Sequence, residues 1–530
     1  MPSDARARGA YYTRLNIARY LAGWAIRKTT DTVLEPSFGS GAFIDAALER
    51  LAELGGSAQN LFAVEVHQET YQNCLTNLDI DSRNFINANF LTVDRFPVDA
   101  VIGNPPYVRL RHLDRTSAQL AIARSESAGV KMTPDGSLWM PFVVHACSFI
   151  KPGGRLALVL PFEMTHVKYA IPLWEFLSRS FGHLTIIRTD EDLFPGNEEE
   201  TLLLLADNYT GSTSSVQYRI YLSHNDLLNE VIPYRQSEIP LENIFKRQKP
   251  FIKALLEPDL QHLINHLARN GSTTPLQQIC RFKIGFVTGD KTFFHPDLEI
   301  RKQYQLPPAN FINAVKNARQ LRGKGLYLNQ LDFETCLYYP VDITAGDHNY
   351  IKFGEKAGIN NRYKCRVRNP WYLTPGIEIP DVLLTVFSET PILTLNSAGF
   401  AASNSLLCGF IKDTAISPEE LACRWYNSLV LLLIELNIHS LGGGVLVLIP
   451  GEVNNLLLPA RSPDTGRQAF LREVDFCLKQ QRPDQAYRAG DNFLLRVCLA
   501  LSTAQIDLIR NGIATLQHWR RPYDKKGCRE

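Results

Sequence analysis

Along the N-terminal part of the chain, short apolar runs alternate with longer stretches whose apolar residues recur at helical spacing. Val33-Leu34, Leu61 to Val66, Ala100 to Gly103, Arg155 to Leu160, Leu184 to Ile187 and Thr201 to Ala206 read as buried strands. Between them, Ala42 to Leu54, Leu138 to Ile150 and Leu173 to Arg179 carry the period of helices that bury one face. Strands alternating with helices predict an α/β fold with a parallel, doubly wound sheet, and the last two strands lie close enough in sequence to form a hairpin. Beyond Asp207 the regularity ends. A turn-rich stretch from Asn208 to Ser215 precedes one more strand-like run, Val216 to Tyr221; helices such as Pro258 to Arg269 then mix with β-like runs and irregular segments. This change of texture predicts a first domain over residues 1–237 and a second, mixed α+β domain over 238–530.

A length of 530 residues agrees with more than one core. Hydrophobic content of 45% and charged content of 21% exclude a disordered or membrane-embedded chain. No apolar run reaches the roughly 18 residues of a membrane span. The longest, Leu429 to Ile438, contains Glu435 and reads as a core helix. The ten cysteines form no C-x-x-C pair and no Cys/His cluster at metal spacing, so buried reduced thiols, a cytoplasmic location and no metal are expected. With a formal net charge of only +2, a nucleic-acid partner has to be argued from local clusters.

The candidate chemistry lies at strand ends, the edge where open α/β sheets bind ligands. The run Asp99 to Gly103 stops at Asn104-Pro105-Pro106-Tyr107. The prolines fix the backbone and remove two N–H donors, leaving the Asn104 side chain and the Pro105 carbonyl as adjacent acceptors for a ligand that offers an NH2 group. Earlier, Leu34-Glu35-Pro36-Ser37-Phe38-Gly39-Ser40-Gly41 joins a strand to a helix, and Gly39 and Gly41 permit a tight turn and close ligand approach. Absence of a Gly-Lys-Ser/Thr sequence disfavours a nucleoside triphosphate. Glu65 ends the next strand, where its carboxylate is placed to accept both hydroxyls of a ribose.

Glycine loop, acidic strand end and Asn-Pro-Pro-Tyr, in this order, resemble the S-adenosylmethionine-dependent amino-methyltransferases of DNA, in the γ arrangement of adenine-specific restriction-modification enzymes. The resemblance implies a class I methyltransferase fold, Rossmann-like with a mostly parallel sheet, followed by a DNA target-recognition domain. It places Thr13, in Gly9-Ala10-Tyr11-Tyr12-Thr13, near the methionine carboxylate and Glu35 near the amino group, with Pro36 and Ser37 in the same loop. In Asn87-Ala88-Asn89-Phe90-Leu91 the family usually has Asp where Asn89 stands, accepting from the cofactor's adenine amine; Asn89 would accept through its carbonyl oxygen without charge, beside Phe90. Phe142 is placed against the cofactor's adenine, and Phe194, in Phe194-Pro195, against an extruded base that Tyr107 also stacks on. The implied reaction methylates N6 of an adenine flipped out of duplex DNA. Asn104 and the Pro105 carbonyl each accept one N–H of the amine and turn its lone pair toward the methyl sulfonium.

Cation clusters would grip the duplex. Arg362, Lys364, Arg366 and Arg368 alternate along one stretch, on one face if it is a strand and spaced to follow phosphates. Lys316, Arg319, Arg322 and Lys324 form an acid-free group, and Arg109 and Arg111 open the segment from Tyr107 to Gly136, readable as a loop closing on DNA or as a structural insertion. Ile284 to Lys291 and Asn369-Pro370-Trp371-Tyr372 resemble parts of target-recognition regions, while Gly442 to Gly444 reads as a turn without an assigned role. Two other readings compete. A protein-glutamine or RNA methyltransferase would carry only a small accessory domain, and a non-catalytic specificity subunit has no need of the intact tetrapeptide, loop and Glu65. Pro380-Asp381 is not followed by the Glu-x-Lys of a nuclease, so a separate cognate endonuclease, or none, is expected beside a monomeric chain.

Overall fold

The computed structural model describes residues 13–77, 82–191, 193, 200–329, 336–441 and 444–520. The chain divides into two compact units between Leu255 and Leu256. The boundary expected at 237/238 falls inside a strand, Arg235–Pro240, paired antiparallel with Ser215–Tyr221. Backbone N–H and C=O groups that a linker would expose are satisfied there by the sheet, which carries the first unit past the expected division.

In the first unit, among the described residues, nine strands form one sheet in the order β3-β2-β1-β4-β5-β7-β6-β8-β9. β1 (Val33–Glu35), β2 (Leu61–Glu65), β3 (Phe85–Asn87), β4 (Val98–Gly103) and β5 (Ile150–Pro161) are parallel. β7 (Thr201–Tyr209) inserts antiparallel between β5 and β6 (Phe181–Thr189), and β8 (Ser215–Tyr221) and β9 (Arg235–Pro240) extend that edge. This is the mostly parallel, doubly wound architecture expected, and β6 and β7 pair as anticipated. Ala100, Val101 and Ile102 of β4 are fully buried, as a strand covered on both faces requires. On one side α1 (Leu15–Ala25) and α2 (Ala42–Glu53) contribute Ile17, Leu21, Ile44 and Ala47 to a core shared with Val33, Ala63 and Ile102. α3 (Gln68–Asn77) and α4 (Arg115–Glu126) are more exposed, whereas every residue of α5 (Trp139–Cys147) is buried; α6 (Ile171–Ser180) precedes β6. Strand order turns back between β1 and β4, and ligands of such sheets bind at this switch point.

The second unit is mixed α+β, as expected. Its four-stranded sheet is antiparallel in the order β10 (Cys280–Ile284), β13 (Leu406–Ile411), β11 (Val382–Thr385), β12 (Leu393–Leu395). Its helices include α7 (Pro258–Arg269), the core helix α8 (Ser428–Asn437) and α9 (Thr503–Arg520). The strand expected over Arg362 to Arg368 is instead a short helix, Tyr363–Arg366. Amides of Cys365 and Arg366 both donate to the Arg362 carbonyl, closing a helical turn, and Tyr363 and Val367, which a strand would set on the face opposite the cations, are each 64% exposed while Cys365 is buried. Local hydrogen bonding wins here; among the described residues no strand pairs with this stretch. Among the described residues no helix is long and apolar enough to cross a membrane, and no group of three or more His, Cys, Asp or Glu is placed to hold a metal.

Candidate active site

At the carboxyl end of β1 the chain turns through the glycine loop before α2 starts. Gly39 (φ 51) and Gly41 (φ 90) occupy left-handed backbone that favours glycine, and a β-carbon on Gly39 would meet nothing within 4 Å. The loop therefore presents bare backbone to open space. Glu65, the last residue of β2, pins it: Oε2 accepts the Gly39 N–H at 3.0 Å and Oε1 the His67 N–H at 2.9 Å. A carboxylate has about four lone-pair sites, so two backbone bonds leave acceptor capacity for ligand hydroxyls.

Glu35 is fully buried, with Oε1 accepting the Ser37 N–H at 2.9 Å and Oε2 without a hydrogen-bond partner. Burial, reinforced by the Glu65 charge and opposed by the Ser37 amide, pushes its carboxyl up to about 8. Only a glycine lets β4 run this close: a β-carbon on Gly103 would lie 2.6 Å from Glu35 Oε1. Gly103→Ala should therefore displace Glu35 and cost about 1–3 kcal/mol by overpacking, read as a fall of several degrees in the thermal unfolding midpoint.

Immediately beyond β4, Asn104 donates from Nδ2 to the Thr13 hydroxyl at 3.3 Å, and its Oδ1 is buried with no hydrogen-bond partner. Thr13 thus meets the tetrapeptide across 91 residues of chain and holds the nitrogen end of the amide, leaving the oxygen as an unspent acceptor. Pro105 is buried beside it, and Tyr107 is 8% exposed. An aromatic cluster forms where α5 packs on the turn after β3. Phe142 of α5 lies 5.3 Å from Phe90, which in turn packs on His145 at 4.8 Å and Phe149 at 5.5 Å. Burial lowers His145 to about 4, so the imidazole packs in this cluster in its neutral form. Asn89 spends its side-chain oxygen on the Leu91 N–H at 3.1 Å, capping the turn Phe90–Thr92. One lone pair of the acceptor anticipated for a cofactor amine is thus used locally, and the other remains available.

The cations fare unevenly. Arg109 turns inward to Glu163 (2.6 Å) and the Tyr169 hydroxyl (2.6 Å), whereas Arg111 is exposed. Between Tyr107 and Gly136 the chain is a structured insertion carrying α4, whose start Asp114 caps through Ser117 and whose Arg124 donates to the Leu91 carbonyl at 2.7 Å. In the second unit Arg319 and Arg322 are exposed, and Lys316 and Lys324 are half-buried. Lys364 and Arg366 flank the exposed Tyr363 ring at 5.4 and 5.5 Å. Arg362 pairs with Asp290, and Arg368 donates to the carbonyls of Thr288 and Val287, so the two ends of that cluster tie the loop at 287–290. Phe194, Pro195, the Gly9–Tyr12 part of the N-terminal motif and Gly442-Gly443 lie outside the described residues. Glu163, which accepts from Arg109, was not singled out in the sequence; its one signal was a carboxylate two residues past the strand that ends in Pro161.

Residues 2–166 match the family described as N-6 DNA Methylase, and residues 248–495 match the C-terminal domain of the type II methyltransferase M.Eco57I. The type II methyltransferase M.AccI of Acinetobacter calcoaceticus is 23% identical over 474 residues, 84% of either chain. M.XamI of Xanthomonas campestris pv. amaranthicola is 23% identical over 477 residues, 85% of either chain. The match to M.HincII of Haemophilus influenzae, 29% over 196 residues, spans only 34% of each. Among solved structures, the type IIL restriction-modification enzyme MmeI in complex with DNA superposes with a TM-score of 0.53 at 12% identity, covering 95% of this chain and 75% of that one. The DrdV–DNA complex gives 0.51 at 13%, covering 89% and 58%. At these identities the structural likeness speaks for the fold.

Proposed function

Because the chain belongs to the N6-adenine DNA methyltransferases of restriction-modification systems, we propose that Asn104, Pro105 and Tyr107 hold an adenine flipped out of duplex DNA for methylation at N6. The observation that carries this reading is the buried, unpartnered Oδ1 of Asn104 at the carboxyl end of β4. With the Pro105 carbonyl next to it and no proline N–H to compete, two acceptors await the two N–H bonds of one amine. Accepting both draws the nitrogen's lone pair out of the ring, while Tyr107 stacks on the base at about 1–3 kcal/mol. The residues fit S-adenosylmethionine, which supplies a methyl group on a sulfonium. Glu65 retains acceptor capacity for ribose hydroxyls, the buried, unpartnered oxygen of Glu35 would suit an ammonium, Gly39 leaves the backbone approachable, and Phe142, packed on Phe90, would lie against the adenine. Arg319, Arg322, Lys364 and Arg366, exposed in the second unit, are the proposed phosphate contacts, and the modification would protect DNA from a separate cognate endonuclease. A protein-glutamine or RNA methyltransferase is disfavoured by the match of residues 248–495 to a type II methyltransferase domain.

Incubating the purified protein with tritiated S-adenosylmethionine and duplex DNA, RNA or a release-factor-like protein tests the reading. Label in duplex DNA as N6-methyladenine is the expected result, and sequencing the modified positions then yields the recognition site. Label confined to RNA or protein overturns it.

A pH dependence follows from Glu35. Its carboxyl at about 8 lies above its ordinary 4.5, so the stability it lends the ligand-free protein is complete below about 4.5 and is lost as pH rises through about 8. A cationic ammonium beside Oε2 favours the ionised form, so cofactor binding at pH 7 should release a proton, and affinity should tighten between pH 6 and 8. Calorimetric titration in two buffers of different ionisation enthalpy checks this: equal observed enthalpies would refute it.

A further inference from the structure

We propose that Glu163 is a positioning residue for the tetrapeptide, acting through Arg109, and that Arg109 serves the active site rather than a DNA phosphate. The inference rests on the methyltransferase reading above. Glu163 stands two residues beyond β5, at the same sheet edge as Asn104. Its Oε2 accepts from Arg109 Nη2 at 2.6 Å; its Oε1 accepts from the Tyr169 hydroxyl and from Trp139 Nε1 at 3.2 Å. Arg109 closes the cycle by donating from Nη1 to the Tyr169 oxygen at 2.6 Å, its guanidinium 5.3 Å from the centre of that ring.

Each arm of this network leads to a part of the site. Arg109 follows Tyr107 by two residues, and its segment is laddered to the chain ahead of α5: Leu138 N–H donates to the Val108 carbonyl at 2.8 Å, Leu110 N–H to the Gly136 carbonyl at 2.9 Å, and Arg109 bridges Ser137. Trp139, fully buried, is the first residue of α5, one turn before Phe142. A single carboxylate therefore grips both the strand end that presents the base-stacking ring and the helix that presents the cofactor-side ring. Charge-assisted hydrogen bonds of this kind fix direction as well as distance. The sheet core does not require them, since Glu163 and Arg109 keep 21% and 36% side-chain exposure at its rim. An arginine with both terminal nitrogens spent on Glu163 and Tyr169 is poorly placed to neutralise a phosphate as well.

The test uses the full chain, once wild-type transfer to duplex DNA and the recognition site are in hand. Glu163→Gln keeps shape and removes charge. We expect kcat to fall on the order of 10–100-fold, as for a small misplacement of reacting groups, with cofactor Kd within about twofold. A 2-aminopurine placed at the target adenine should fluoresce more brightly in the variant complex as stacking on Tyr107 loosens. Arg109→Ala should reproduce the kcat loss and leave the salt slope of DNA binding unchanged, and the double variant should lose no more than the worse single one. Should Glu163→Gln fold poorly, Tyr169→Phe removes one arm without touching the charge and should give a smaller loss of the same kind. Wild-type kcat and 2-aminopurine signal in these variants, additive losses in the double variant, or a salt slope reduced by about one in Arg109→Ala would each overturn the inference. A wild-type protein that fails to methylate duplex DNA counts against the function itself, whereas competent wild type with indifferent variants counts against this inference alone.

Discussion

Asn104→Ala loses methyl transfer by about 10²–10³-fold or more while binding S-adenosylmethionine within a few-fold of wild type. The expectation comes from how little else Asn104 does. Its Nδ2 makes one long bond, 3.3 Å, to Thr13, and its Oδ1 makes none. A group that stabilises neither the fold nor a resting ligand, but completes an acceptor pair for the reacting amine, contributes chiefly when charge develops on that amine. The cofactor determinants argued above, Glu65, Glu35 and the glycine loop, are held by hydrogen bonds of their own to Gly39, His67 and Ser37 and remain intact. Single-turnover transfer of tritiated methyl, beside calorimetric cofactor titration, checks both halves. Near-normal turnover would sink the proposed chemistry, and a collapse of cofactor affinity would reassign Asn104 to binding.

The second large effect is on stability. Arg520→Ala should destabilise the second unit by about 3–5 kcal/mol, because it strands a buried carboxylate. Glu435 sits in the otherwise apolar core helix α8 with its side chain 1% exposed, and Arg520, near the end of α9, meets it with two bonds of 2.7 Å. Gln517 adds one bond at 3.0 Å, which cannot replace the charge. The same guanidinium also donates to the carbonyls of Gly444 and Glu389, so its loss frees three segments at once. Thermal unfolding should show a midpoint lower by about 10 °C. Replacing both partners with apolar residues should recover much of the loss; failure to do so would mean that the carbonyl contacts, not the ion pair, carry the effect.

The two effects illustrate what was legible beforehand. Glu435 in an apolar run marked α8 as a core helix, yet nothing nearby in sequence named its partner 85 residues later. Asn104 was legible because two prolines beside it restrict the backbone, a purely local effect. Glu65 was expected to face a ligand and is found also binding the loop that the ligand would use, since strand ends β1 and β2 are neighbours in the sheet. The period-two cations of Arg362 to Arg368 misled because alternation is a strand signal only where a neighbouring strand exists. A turn closed on the Arg362 carbonyl offered the backbone a better local alternative.

By itself the sequence determined the alternation of β1, β2, β4, β5, β6, β7 and β8 with α2, α5 and α6 in the first unit and the conformation of the glycine loop, and it set the Asn104 side chain beside the Pro105 carbonyl; β3, β9, α1, α3 and α4 did not stand out. Periodicity, proline stiffness and glycine freedom act over a few residues and do not wait for the fold. The tertiary structure alone decided that β7 lies antiparallel between β5 and β6, that the first unit runs on to Leu255, and that Arg109 answers to Glu163 across 54 residues rather than facing solvent. Charges and sheet edges choose among distant partners by proximity and burial, and those come into being only when the chain has closed on itself.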